Sequence, residues 1–171
     1  MQRIYLYEEC TANPLDAQKG LIQELADEGM AMILALAEDF GQISGVKTCL
    51  FINTAHLAKV NPPKGFELIP VQGEFKPDMF QKYLRENDKV VVVAPECESI
   101  LHERIKQAQN TDANILNASL HSIALTSNKL QTAEILKKAG VLTPPTFSLA
   151  DEKGALGLPF PRVIKPIDGA G

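Results

Sequence analysis

The sequence predicts an α/β protein built on an open, parallel, Rossmann-like sheet with helices on both faces. Short apolar runs rich in β-branched residues alternate with longer stretches of helical periodicity, which is the pattern of successive strand-helix-strand units. One run, KVVVVA at 89–94, is apolar at nearly every position, as a strand covered on both faces must be. The 171 residues, 45% hydrophobic and 22% charged, are enough for a good core.

Strands are predicted at 2–7 (QRIYLY), 46–52 (VKTCLFI), 66–71 (FELIPV), 89–94 and 113–116 (ANIL). Between the first two, Leu21, Ile22, Leu25, Gly29, Met32, Ile33, Leu36 and Phe40 recur at spacings of three and four, which predicts one long amphipathic helix. Asn13 before Pro14 would cap an early start, with Asp16 as the alternative cap. Further helices are predicted at 77–86, 98–109 and about 119–125.

A separate unit is expected to begin near residue 126, dividing the chain into 1–125 and 126–171. Ser127 or Asn128 can cap a helix with Leu130, Ala133, Leu136 and Ala139 on one face, and Gly140 stops it. With Asn128 as the cap, Gln131 stands where a capping box needs it, and Pro144 and Pro145 prevent resumption. A short strand at 146–149, a turn containing Asp151, Glu152, Lys153 and Gly154, and an apolar strand carrying Arg162 to Pro166 complete the reading.

Composition narrows the function. A net charge of −4 and the lack of a basic cluster argue against a nucleic-acid surface. The N-terminus does not read as a signal peptide, and no apolar run approaches the roughly 20 residues that span a bilayer. Three cysteines without metal-like spacing fit a reducing, cytoplasmic compartment. The segment after the first strand, EECTANPLD, has no glycine, and no GxxxxGK[ST] occurs, so the dinucleotide fingerprint and the P-loop are both excluded. His56, His102 and His121 form no recognisable pair.

In an open parallel sheet, ligands bind beyond the carboxyl ends of the strands. With strand order 3-2-1-4-5, Glu8 and Glu9 after the first strand would lie beside Glu96 after the fourth. These carboxylates are candidates to hold a cationic substrate group such as an amine; the alternative is that they are solvated or cap the following helices. In the C-terminal stretch, Lys165 near the end of an apolar run precedes Asp168, Gly169, Ala170 and Gly171. A glycine-rich loop exposes backbone N–H groups to phosphate oxygens, and a nearby lysine adds a point charge; the alternative is a surface lysine before a turn.

The order SNKLQTAEILKKAGVLTPPTFSL, a spacer, then FPRVIKPIDGAG resembles the start of the ATP-grasp domain, over residues 127–171. The preceding α/β part resembles the pre-ATP-grasp domain. The resemblance implies an ATP-dependent ligase that joins a small carboxylate to an amine through an acylphosphate. By it Lys129 would approach the triphosphate, Lys165 would contact the α-phosphate, and Gly169, Ala170 and Gly171 would begin the loop closing over the phosphates. Asn128 stands where the family often has Asp. ATP and Mg2+ are the implied cofactors, with the metal ligands expected downstream of this chain. The chain itself is then expected to be an inactive fragment whose C-terminal part is held by the first domain or by a second copy in a homodimer. More narrowly, Glu28 to Met32 and Ala94-Pro95-Glu96 look like the tyramine-glutamate ligases of methanofuran synthesis and their bacterial relatives. Two other readings are a non-catalytic nucleotide-binding or scaffold domain on the same fold, and a flavodoxin-like or receiver-like module. The latter is disfavoured by Gln72-Gly73-Glu74, which lacks a phosphorylatable Asp, after the third strand.

Overall fold

The computed structural model describes residues 1–14, 23–60, 65–151, 154 and 157–169. In chain order the elements are β1 (Gln2–Glu8), α1 (Glu9–Ala12), α2 (Gln23–Gly41), β2 (Val46–Asn53), a 3-10 turn (Thr54–Lys59), β3 (Glu67–Val71), α3 (Asp78–Tyr83), β4 (Lys89–Val93), a 3-10 turn (Cys97–Ser99), α4 (Ile100–Ala108), β5 (Asn114–Ile115), α5 (Leu120–Thr126) and α6 (Lys129–Lys138). The sheet is parallel throughout, in the order β3-β2-β1-β4-β5.

The chain divides into two compact units. The first holds Met1–Ala94 and Glu103–Asn117, and the second holds Pro95–His102 and Ala118–Gly171.

Alternation along β1 builds the first unit, because successive strand residues face opposite sides. Ile4 and Leu6 join Leu50 of β2 against Ile33 and Ala37 of α2. On the other side Tyr5 and Tyr7 join Phe51, Phe75 and Phe80; Tyr7 meets Phe75 edge-on at 4.5 Å between ring centres, and Phe51 meets Phe80 at 5.9 Å. Such aromatic pairs each add about 0.5–1.5 kcal/mol beyond the area they bury.

The buried stripe of α2 is rotated from the one expected. Leu25 and Met32 are exposed, while Ala26, Gly29, Ile33 and Ala37 face the sheet. The small residues win these positions because the helix lies close to β1. An ideal Cβ on Gly29 would fall 2.5 Å from the Glu8 carboxyl carbon. Asn13 follows the short α1 with extended backbone, as its C-cap, and the chain between Pro14 and Gln23 lies outside the described residues. Asp16, Leu21 and Ile22 lie outside the described residues.

In the second unit Asn128 is the cap of α6, its Oδ1 accepting from Gln131 N at 3.0 Å. The helix ends in a Schellman motif: Gly140 N donates to Lys137 O at 3.1 Å and Val141 N to Leu136 O at 2.9 Å, with Gly140 at φ 73°. Of the face expected to be apolar, Leu130 and Ala133 are half-buried and Leu136 and Ala139 are exposed.

The strands expected at 146–149 and 162–166 are not formed. A strand exists by pairing, and neither segment has a partner strand among the described residues; Pro144, Pro145, Pro161 and Pro166 also remove ladder donors around them. Val163 and Ile164 are each 78% exposed. Glu152 and Lys153 of the expected turn lie outside the described residues; in the rest of it, Gly154 N donates to Asp151 Oδ1 at 3.1 Å.

Two stability predictions follow from this packing. Overpacking by Gly29→Ala costs about 1–3 kcal/mol, more than the ~1 kcal/mol by which alanine is the better helix former, so the urea midpoint falls; in a Glu8→Ala background the same change raises it. Thr48 Oγ1 is buried without a hydrogen-bond partner among the described residues. Thr48→Val removes that group at almost constant volume and raises stability by about 1 kcal/mol, read in the same titration.

Candidate functional site

The first candidate lies at the carboxyl end of β1. Glu8, only 2% exposed, turns towards α2 and caps α1, accepting from Cys10 N at 3.0 Å and Thr11 N at 2.7 Å. Burial raises its pKa above the ordinary carboxylate value, and the two backbone bonds oppose that rise. Only a glycine at position 29 leaves room for the carboxylate there.

Glu9 is held on the aromatic side. Arg104 of α4 grips it bidentately, Nε to Oε2 at 2.7 Å and Nη2 to Oε1 at 2.9 Å. Tyr7 Oη donates to Oε2 at 2.6 Å, and Asn13 Nδ2 donates to Oε1 at 3.2 Å. The guanidinium carbon sits 5.7 Å from the Tyr7 ring centre and 5.8 Å from that of Phe75. The bonds to Glu9 push the Arg104 pKa up, and burial pushes that of Tyr7 well up, so the arginine and the tyrosine both keep their protons over the physiological range.

Asn13 extends the cluster by accepting from Phe75 N at 2.8 Å, and the buried His56 donates from Nε2 to Asn13 O at 3.3 Å. Together these bonds tie the segments after β1, β2 and β3. His56, which its spacing left without a role, is thus a packing donor.

Arg104 and Tyr7 were not among the residues singled out by sequence, and Asn13 was considered there only as a helix cap. Arg104 had a readable signal, because its spacing puts it on the helix face of the half-buried Leu101 and the buried Ile105 and Ala108. An arginine there needs a carboxylate partner.

The second candidate belongs to the second unit. Lys129, at the first position of α6, donates from Nζ to Asp168 O at 3.0 Å and Gly169 O at 2.5 Å. Its backbone N–H donates to Ile167 O at 2.9 Å. Gly169 adopts φ 75°, which a side chain would strain, and Asp168 Oδ2 accepts from Glu98 N at 3.4 Å. The structure thus brings Lys129 and Gly169 together. Lys165 is exposed, so the burial cost expected of it in an apolar strand does not arise. Ala170 and Gly171 lie outside the described residues.

Glu96 is half-buried at the start of the Cys97–Ser99 turn and makes no capping bond. It belongs to the second unit, whereas Glu8 and Glu9 belong to the first. Among the described residues, no group of three or more His, Cys, Asp or Glu could hold a metal ion, and no helix is long and apolar enough to cross a membrane.

Removing Arg104 leaves Glu9 buried without its cation. Arg104→Met is expected to cost about 3–5 kcal/mol of unfolding free energy, and Glu9→Gln in that background to recover most of it. A double-mutant cycle in urea measures the coupling, and additive losses would contradict it.

Residues 47–123 match the family model of the pre ATP-grasp 3 domain. The fold is also that of a protein from Archaeoglobus fulgidus described as an ATP-grasp superfamily member, with a TM-score of 0.59 at 22% identity. The likeness covers 81% of this chain but only 40% of that protein. No curated protein matches the chain. The segment from 47 to 123 is therefore similar in sequence to the pre-ATP-grasp domain, on a parallel α/β fold shared with that archaeal protein.

Proposed function

We propose that the chain is the N-terminal portion of an ATP-dependent carboxylate-amine ligase that works in the cytoplasm through an acylphosphate. On this reading the second unit holds nucleotide, and the chain alone binds it weakly without ligating. The observation that carries it is Lys129. A capped helix start presents this ammonium beside Asp168 and Gly169, and its partners among the described residues are neutral carbonyls, which do not cancel its charge. That arrangement fits an anion, and the order of motifs from Asn128 to Gly169 supports a triphosphate.

Bound ATP supplies the phosphoryl group that activates the substrate carboxylate. This chain contributes positioning. Lys129 offers charge-assisted hydrogen bonds to phosphate oxygens, and the exposed Lys165 would add a second cation. Magnesium is part of the proposal for the whole enzyme, but the described residues offer no ligand set for it.

Of the three carboxylates considered for the amine substrate, Glu8 is committed to the α1 cap and Glu9 to Arg104. Glu96 is the one left to hold an ammonium group. The narrower likeness to tyramine-glutamate ligases supplies an amine of that kind.

Calorimetric titration of Mg-ATP into the chain and its Lys165→Ala variant tests the site. Weak binding that is lost in the variant is expected. A chain that takes up no nucleotide, or a variant that binds as the parent does, contradicts the proposal.

A further inference from the structure

Three successive carbonyls of the glycine-bearing loop converge on one residue. Ile167 O accepts from the Lys129 backbone N–H, and Asp168 O and Gly169 O accept from its ammonium group. The first N–H groups of a helix have no partner within it, so Ile167 O and Asn128 Oδ1 between them satisfy two of the four orphans of α6. An ammonium has three donors, and two are spent on the loop.

In this arrangement the loop turns its carbonyls to the lysine that the proposed function needs for phosphate. Carbonyl dipoles solvate the ammonium but leave its charge in place. We infer that residues 167–169 form a latch on Lys129, closed in the nucleotide-free chain and opened when a polyphosphate takes the lysine. A phosphate oxygen offers the ammonium a full negative charge where a carbonyl offers only a dipole, so a phosphate outcompetes the carbonyls. The loop then swings off the start of α6 as the nucleotide arrives, which couples occupancy of Lys129 to the position of the glycine-bearing loop. The opening step rests on the nucleotide reading above; the latch itself stands on the contacts alone.

The test is carbonyl ¹³C spectroscopy of the chain at Ile167, Asp168 and Gly169, with ¹⁵N relaxation at Asp168 and Gly169. A carbonyl that accepts from an ammonium resonates downfield. Lys129→Met keeps the length and apolar stem but removes the donors. In that variant the Asp168 and Gly169 carbonyls are expected to lose the downfield displacement, and the order parameters to fall from about 0.85 towards 0.6 or below. Lys129→Arg, which still donates, retains both. If the methionine variant matches the parent, there is no latch. Adding Mg-ATP, or inorganic triphosphate alone, to the parent is expected to move the same carbonyls in the direction of the methionine variant. Nucleotide that shifts other resonances while these carbonyls stay fixed overturns the opening step and leaves the site. No shift anywhere, in a chain whose methionine variant loosens the loop, overturns the nucleotide reading and leaves the latch.

Discussion

The central strand of the sheet leads into two adjacent carboxylates, Glu8 and Glu9, both nearly inaccessible to water. Desolvated carboxylates are among the costliest groups to bury, so each must be satisfied, and the two face different sides. Glu8 is answered by backbone N–H groups of α1, and the room for it is made by a glycine in α2. Glu9 is answered by an arginine from α4 and a tyrosine of its own strand. Those two solutions position α1, α2 and α4 against β1, and the Asn13 bonds carry the constraint on to the segments after β2 and β3.

This changes what the carboxyl end of the sheet can do. In a parallel α/β fold it is the usual place for a ligand. Here Glu8 and Glu9 are consumed in holding the fold together, and the alternative raised from sequence, a carboxylate acting as a helix cap, describes Glu8. The second unit has the opposite character. Its helix α6 is fixed at both ends by backbone chemistry, and the ammonium at its start meets neutral carbonyls. A charge that meets only neutral carbonyls among the described residues is the feature to associate with an external anion.

Much of the fold was legible in the sequence because strand and helix periods are local. All five strands of the sheet lie within a residue or two of their expected ends, and the strand order is the one considered. The Asn128 cap and the Gly140 stop were readable for the same reason. What escaped depended on distant partners. The rotation of α2 that buries Ala26 and Ala37 rather than Leu25 and Met32 is set by how closely the helix approaches Glu8. Segments 146–149 and 162–166 have strand-like composition but no strand to pair with among the described residues. At the candidate sites, Lys129 and Gly169 were legible as motif residues. The ion pair between Glu9 and Arg104 joins residues 95 positions apart, and only the arginine's place in an apolar stripe hinted at it.

The central claim is that the carboxylates after β1 are structural and that nucleotide belongs to the second unit. Photolabelling of the chain with an azido-adenine nucleotide, followed by peptide mapping, tests it most directly. The account predicts label confined to peptides between Ala118 and Gly169 and competed by ATP. ATP-sensitive label on the peptide carrying Glu8, Glu9 and Asn13 would contradict it and would return the binding site to the end of the central strand.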